Sequence, residues 1–158
     1  MPKKPGDQRT ARAPADSDRR RFARCDMKGT EFEDVDLSTA RFHDVALREA
    51  DLDDVSLEGA HIQNTTFARA TLDDISFEQA RLHNTTLSKA TLDDVAMVDA
   101  EVRNANLDGA RFTDVSLRGA RFEDADFTNV SISSSKIDGL TIDGVRIDQL
   151  LKARAARK

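Results

Sequence analysis

From Phe22 to Ile147 every fifth residue is apolar without a break in register: Phe22, Met27, Phe32, Leu37, Phe42 and onward to Ile142 and Ile147. All eight phenylalanines of the chain fall in this one phase of five. Neither regular element, kept straight, can use such a pattern. A helix advances about 100° per residue, so apolar residues five apart precess around it and never form a stripe. On a straight strand the odd spacing throws successive apolar residues onto opposite faces. The chain must therefore turn a corner once per five residues, with its apolar residues inside the bends.

A second inward column lies two residues before each central one: Cys25, Thr30, Val35, Ala40, Val45, Ala50, Val55, Ala60 and on to Val130. These residues are small or β-branched, and each unit then reads in, out, in, out, out. A longer repeat sets the coil. Residues 51–70 and 71–90 are identical at ten of twenty positions, whereas 61–70 and 71–80 match at only two of ten. Leu-Asp-Asp recurs at 52, 72 and 92, and Asn-Thr-Thr fills 64–66 and 84–86. Four units make one coil. The pattern predicts an all-β, four-sided solenoid of about six and a half coils, which at the strand spacing of ~4.8 Å is a rod roughly 31 Å long.

At this point the units Ala40-Arg41-Phe42, Ala50-Asp51-Leu52, Ala60-His61-Ile62 and Ala110-Arg111-Phe112 resemble the A(D/N)LXX units of pentapeptide repeat proteins, over 126 of the 158 residues. The resemblance implies a right-handed quadrilateral β-helix. Most of that family has no known activity; its best understood members protect DNA gyrase from quinolones by imitating DNA, and some of them pair through their C-terminal ends. The chain departs from the quinolone-resistance subgroup in having no loop inserted between coils.

The pattern divides the chain into three. Residues 1–19, with Lys3, Lys4, Arg9, Arg12 and Arg19 and all three prolines but no apolar pattern, read as a disordered basic arm. Residues 20–148 form the solenoid. Near its end Leu140 and Val145 enter the small column, as if to plug the bore. Residues 149–158 are good helix formers, and Leu150 and Leu151 could lie over the last coil as a cap, which an open solenoid end needs, or form a dimer contact. Cys25, on the small inward column, reads as a buried, inert thiol. With no run apolar enough to span a membrane and no signal-peptide pattern, the expected location is the cytoplasm.

Charge adds the functional clue. Residues 1–21, 22–148 and 149–158 carry +4, −13 and +4, together the net −5 of the chain, so the rod itself is strongly acidic. Stacked coils would align outward residues twenty apart, and one side then holds Glu31, Glu33, Asp34, Asp51, Asp53, Asp54, Asp73, Asp74, Asp93, Asp94 and Asp114 against one base, Arg111. That is roughly one negative charge per 2 Å of face, close to the ~1.7 Å of duplex DNA. Like charges ~4.8 Å apart repel by ~1 kcal/mol per pair even in water, so something should offset the ladder. The offset could be local, with each aspartate accepting from backbone N–H groups of its own corner. It could equally be a protein partner with a basic or DNA-binding surface, gyrase among them, or a weakly held cation, although no loop gathers six oxygens around one point.

The opposite side carries Arg21, Arg41, His61, Arg81, Glu101 and Arg121 beside His43, His83 and Arg103. All three histidines share it, but Gln63 separates His43 from His83, so an intercoil hydrogen-bond ladder, including Asn64, Asn84 and Asn104, is expected in place of a metal site. Interspersed acids and the lack of exposed aromatics argue against direct nucleic-acid binding. There is no Gly-rich phosphate loop, no catalytic constellation and no cleft. The expectation is a non-enzymatic interaction module without catalytic residues, cofactor or metal, and with gyrase regulation as the alternative.

Overall fold

The computed structural model describes residues 20–156, so the basic arm expected over 1–19 lies outside the described residues. Parallel strands stack in two series. One runs β1 (Arg21–Asp26), β3 (Arg41–Ala46), β5 (His61–Gln63), β7 (Arg81–His83), β9 (Glu101–Arg103), β11 (Arg121–Glu123) and β13 (Thr141–Ile142), closed by β14 (Val145–Arg146). The other runs β2 (Glu31–Asp36), β4 (Asp51–Ser56), β6 (Thr71–Ser76), β8 (Thr91–Asp93), β10 (Arg111–Thr113) and β12 (Ser131–Ser133). Every parallel pairing joins residues twenty apart, as in Phe22↔Phe42 and Leu52↔Leu72, so each coil takes four units. Bridges such as Thr66↔Thr86 and Ser76↔Ala96 tie the two remaining sides together in the same register. The result is a β-solenoid of about six turns, followed by α1 (Ile147–Ala155).

The five-residue period is made by backbone conformation. Two residues after each central apolar residue, from Arg24 to Gly139, the chain takes a positive φ. Each such residue turns a corner. At alternate corners the turn also closes with a backbone bond, for example Ala40 N–H to Leu37 C=O at 3.0 Å and Ala60 N–H to Leu57 C=O at 3.0 Å, the pattern of a type II turn with its left-handed third residue. The outward side chains before the corner then hold the next amide. Ser38 N–H donates to Asp36 Oδ1 at 2.9 Å, Asp108 N–H to Asn106 Oδ1 at 2.9 Å and Thr128 N–H to Asp126 Oδ1 at 2.8 Å. Gly119 meets two demands at once, because its φ is +66° and a Cβ there would lie 2.1 Å from Asp99 Oδ1.

Both inward columns are buried through the middle of the rod, from Leu37 to Phe122. Phenylalanines meet where the register or a corner brings them together: Phe22 stacks on Phe42 with ring centres 4.7 Å apart, and Phe67 meets Phe77 edge to face at 6.4 Å. Burial is incomplete at the ends. Cys25 is half-buried, not buried as its column suggests, because no described coil lies above the first one. At the other end Leu140 is buried and plugs the bore as expected, whereas Val145 is 52 % exposed in the β13–β14 hairpin. The helix starts at Ile147, two residues before the expected boundary, and it leaves Leu150 and Leu151 58 % and 48 % exposed. They do not cover the last coil. Asp148 is the side chain of this helix that is buried, held by Arg146 Nε at 2.9 Å and Nη2 at 2.7 Å.

Candidate functional site: an acidic ladder

The register gathers the eleven expected carboxylates on one side of the rod. Glu31 pairs with Asp51, Glu33 with Asp53, Asp53 with Asp73 and Asp73 with Asp93, each one coil above the last. Asp34, Asp54, Asp74, Asp94 and Asp114 stand beside them, all at left-handed corners with φ between 47° and 53°. That conformation explains the residue type. Aspartate and asparagine tolerate positive φ better than other residues with a Cβ, and asparagines occupy the corresponding corners 64, 84 and 104 on the histidine side.

The backbone requirement does not discharge the electrostatic one. Side-chain bonds to turn amides come from Asp26, Asp36, Thr66, Ser76, Asn106 and Asp126, two residues further along than the corner positions. No member of the ladder makes such a bond among the described residues. The local offset expected from the sequence is therefore made by Asp26, Asp36 and Asp126 and not by the corner aspartates. Nor does an ion pair among the described residues reach any of the eleven.

Proton affinities separate the two kinds of carboxylate. Ser38 holds Asp36 below the ordinary aspartate range, through its hydroxyl and then its backbone N–H, and Thr128 does the same for Asp126. Asp54 moves the other way. A hydrogen bond shared with Asp34 raises its pKa first, then the Asp34 charge, with burial and the charges of Asp74 and Asp53 adding to it. Asp54 thus holds its proton more firmly than a free aspartate, chiefly through Asp34.

Along this edge runs an open groove of about 540 Å³, with Asp54, Asp74, Asp94 and Asp114 on one wall. The small residues Ser56, Ser76, Ala96 and Ser116 line it as well, and so does Lys136. Sequence reasoning passed over these small residues. Their signal was the same twenty-residue recurrence of small side chains at 56, 76, 96 and 116.

On the opposite side the histidines are spread along the stack, with Gln63 between His43 and His83 in the strand register. The asparagine ladder is present: Asn64 Nδ2 donates to Asp44 Oδ1 at 3.0 Å, Asn84 to Asn64 at 3.0 Å and Asn104 to Asn84 at 2.5 Å. Among the described residues no three His, Cys, Asp or Glu side chains are grouped to hold a metal ion, and no helix is long and apolar enough to cross a membrane.

A family model described as a pentapeptide repeat region matches residues 70–147, and one for pentapeptide repeats matches 21–54 and 40–79. No curated protein matches the chain significantly. Among solved structures, the pentapeptide repeat protein Rfr23 from the cyanobacterium Cyanothece is 17% identical, over 78% of this chain and 87% of its own, with a TM-score of 0.33. HetL from the cyanobacterium Nostoc, a pentapeptide repeat protein involved in heterocyst differentiation regulation, is 17% identical over 77% and 91%, with a TM-score of 0.34. A trypsin-treated form of QnrB1, a plasmid-mediated fluoroquinolone resistance protein, is 19% identical over 85% and 86%, with a TM-score of 0.37.

Proposed function

Since the chain belongs to the pentapeptide repeat family, a family of rigid repeat scaffolds, we propose that it is a non-enzymatic interaction module whose acidic side receives a basic surface of a protein partner. The observation that carries this reading is the ladder itself, eleven exposed carboxylates gathered on one side with no ion pair or turn-amide bond among the described residues. A surface that is costly to charge in isolation gains most from a cationic partner, and its fixed spacing speeds encounter with one. A DNA-binding protein is the most direct fit, because the ladder's charge density approaches that of a duplex. DNA gyrase is the narrower second reading, favoured by that density. The exposed Leu150 and Leu151 at the C-terminal end are suited to a dimer contact.

The test uses a variant that removes charge and keeps the corners: Asp54→Asn, Asp74→Asn and Asp94→Asn together. Proteins captured from the host by the natural chain at low salt should be lost at high salt and lost with the variant. Capture of the same proteins by both chains, indifferent to salt, would overturn the reading. For gyrase, supercoiling should be inhibited by the natural chain and spared by the variant, with and without quinolone; no effect at a large molar excess removes gyrase alone.

A further inference from the structure

The side opposite the acidic ladder carries Arg21, Arg41, Arg81, Arg103 and Arg121, interspersed with Asp44, Glu101, Glu123 and Asp124, and Arg81 pairs with Glu101 at 3.8 Å. In the first coil Arg21 stands half a turn from Glu31 and Glu33, and in the second Arg41 stands half a turn from Asp51 and Asp53. In the fourth coil Arg81 lies opposite Asp93 in the same way. The fifth coil inverts both sides together. Arg111, the one base among the ladder strands, sits half a turn from Glu101, the one acid that interrupts the Arg21, Arg41, His61, Arg81 and Arg121 column. All of these charged side chains are exposed except Glu101, which is half-exposed. Arg21, Arg41 and Arg111 make no ion pair among the described residues.

We propose that the chain associates with itself side by side, the acidic side of one copy against the histidine side of the next, with the rods parallel. Both ladders are set by the same strand spacing of ~4.8 Å, so charges matched in the first, second, fourth and fifth coils stay in phase, while the third and sixth coils add no such pair. Orientation follows from the fifth coil. In parallel rods, coil lies against like-numbered coil, and Arg111 meets Glu101 while Arg21 and Arg41 meet Glu31, Glu33, Asp51 and Asp53. In fully overlapping antiparallel rods the fifth coil meets the second, which sets Arg111 against Arg41 and Glu101 against Asp51 and Asp53. Like charges so placed reject that arrangement. A contact between two different sides leaves one of each kind open, so it can repeat and build ribbons of more than two chains. The acidic side is shared with the reading given above, but self-association needs no other protein and stands or falls separately.

Sedimentation velocity of the purified full chain tests it. At low ionic strength two-chain and larger species should grow with protein concentration, and at about 0.5 M salt, where the screening length is only a few ångströms, a single chain should remain. Two variants weaken one side each within the first two coils: Arg21→Gln with Arg41→Gln, and Glu33→Gln with Asp53→Asn. Each alone should sediment as a single chain at low salt. Mixed in equal amounts they should recover a two-chain species and go no further, since the pair retains one intact side of each kind, and that recovery also reports that both variants are folded. A natural chain that stays single at low salt overturns the proposal. So do variants that assemble as the natural chain does, a mixture that fails to recover, or a two-chain mass indifferent to salt, which would belong to the apolar C-terminal end.

Discussion

At the corners of the rod a side chain is selected by the backbone beneath it. Asp74 holds φ at 53°, a conformation that costs most residues about 1–2 kcal/mol and aspartate or asparagine less. Asp74→Asn should therefore leave the thermal midpoint unchanged or raise it slightly at low salt, while Asp74→Ala lowers it, and thermal unfolding of both variants separates backbone from charge. Within the core, Thr85 is 1 % exposed and its hydroxyl has no hydrogen-bond partner among the described residues, whereas Thr65 one coil away donates to Gln63 C=O at 3.1 Å. Replacing an unpaired buried hydroxyl by a methyl group of similar shape removes a desolvation cost, so Thr85→Val should stabilise the chain by about 1 kcal/mol in denaturant unfolding.

The last coil has a stacked neighbour on one side only, and the C-terminal elements close its other side. The last strands close with the antiparallel β14, and Arg146 then grips Asp148 at the start of α1. Hydrogen bonds from Arg146, its charge, and the backbone N–H groups of Gly139 and Gln149 hold the Asp148 carboxyl far below the ordinary aspartate range despite its burial. A depressed folded pKa means stability that is present above the unfolded value of 3.8 and lost as the pH falls toward the folded one. Asp148→Asn should lower the thermal midpoint at neutral pH and flatten its decline below pH 3.8. This closure was only partly legible in the sequence. Leu140 announced itself by breaking the small column, but Leu150 and Leu151 looked like a lid because their apolarity carries no information about direction, and both stand largely exposed on α1.

Over the whole molecule the period of five and the repeat of twenty were enough to place the coils, the two inward columns and the eleven carboxylates, because a solenoid converts sequence spacing directly into position. What stayed hidden depended on where side chains point. The sequence could not tell the corner aspartates from those that cap the next amide, since both are outward acids two residues apart, Asp34 and Asp36 for instance; only the left-handed φ at 34 and the Ser38 bond at 36 divide them. That division is also what leaves the ladder uncompensated, and hence available to a cationic surface.

Carboxyl-carbon NMR titration of the aspartates measures it directly. The hydrogen bond and charge of Asp34 predict that Asp54 titrates above 3.8, and the bonds from Ser38 and Thr128 predict that Asp36 and Asp126 titrate below it. A folded pKa raised in this way makes the contribution of Asp54 to stability fall as the pH rises from 3.8 through the raised value, opposite in sign to that of Asp148. If Asp54 titrates together with Asp36 and Asp126 at the ordinary aspartate value, the ladder carries its charge without resistance and the electrostatic basis of the proposed function is gone.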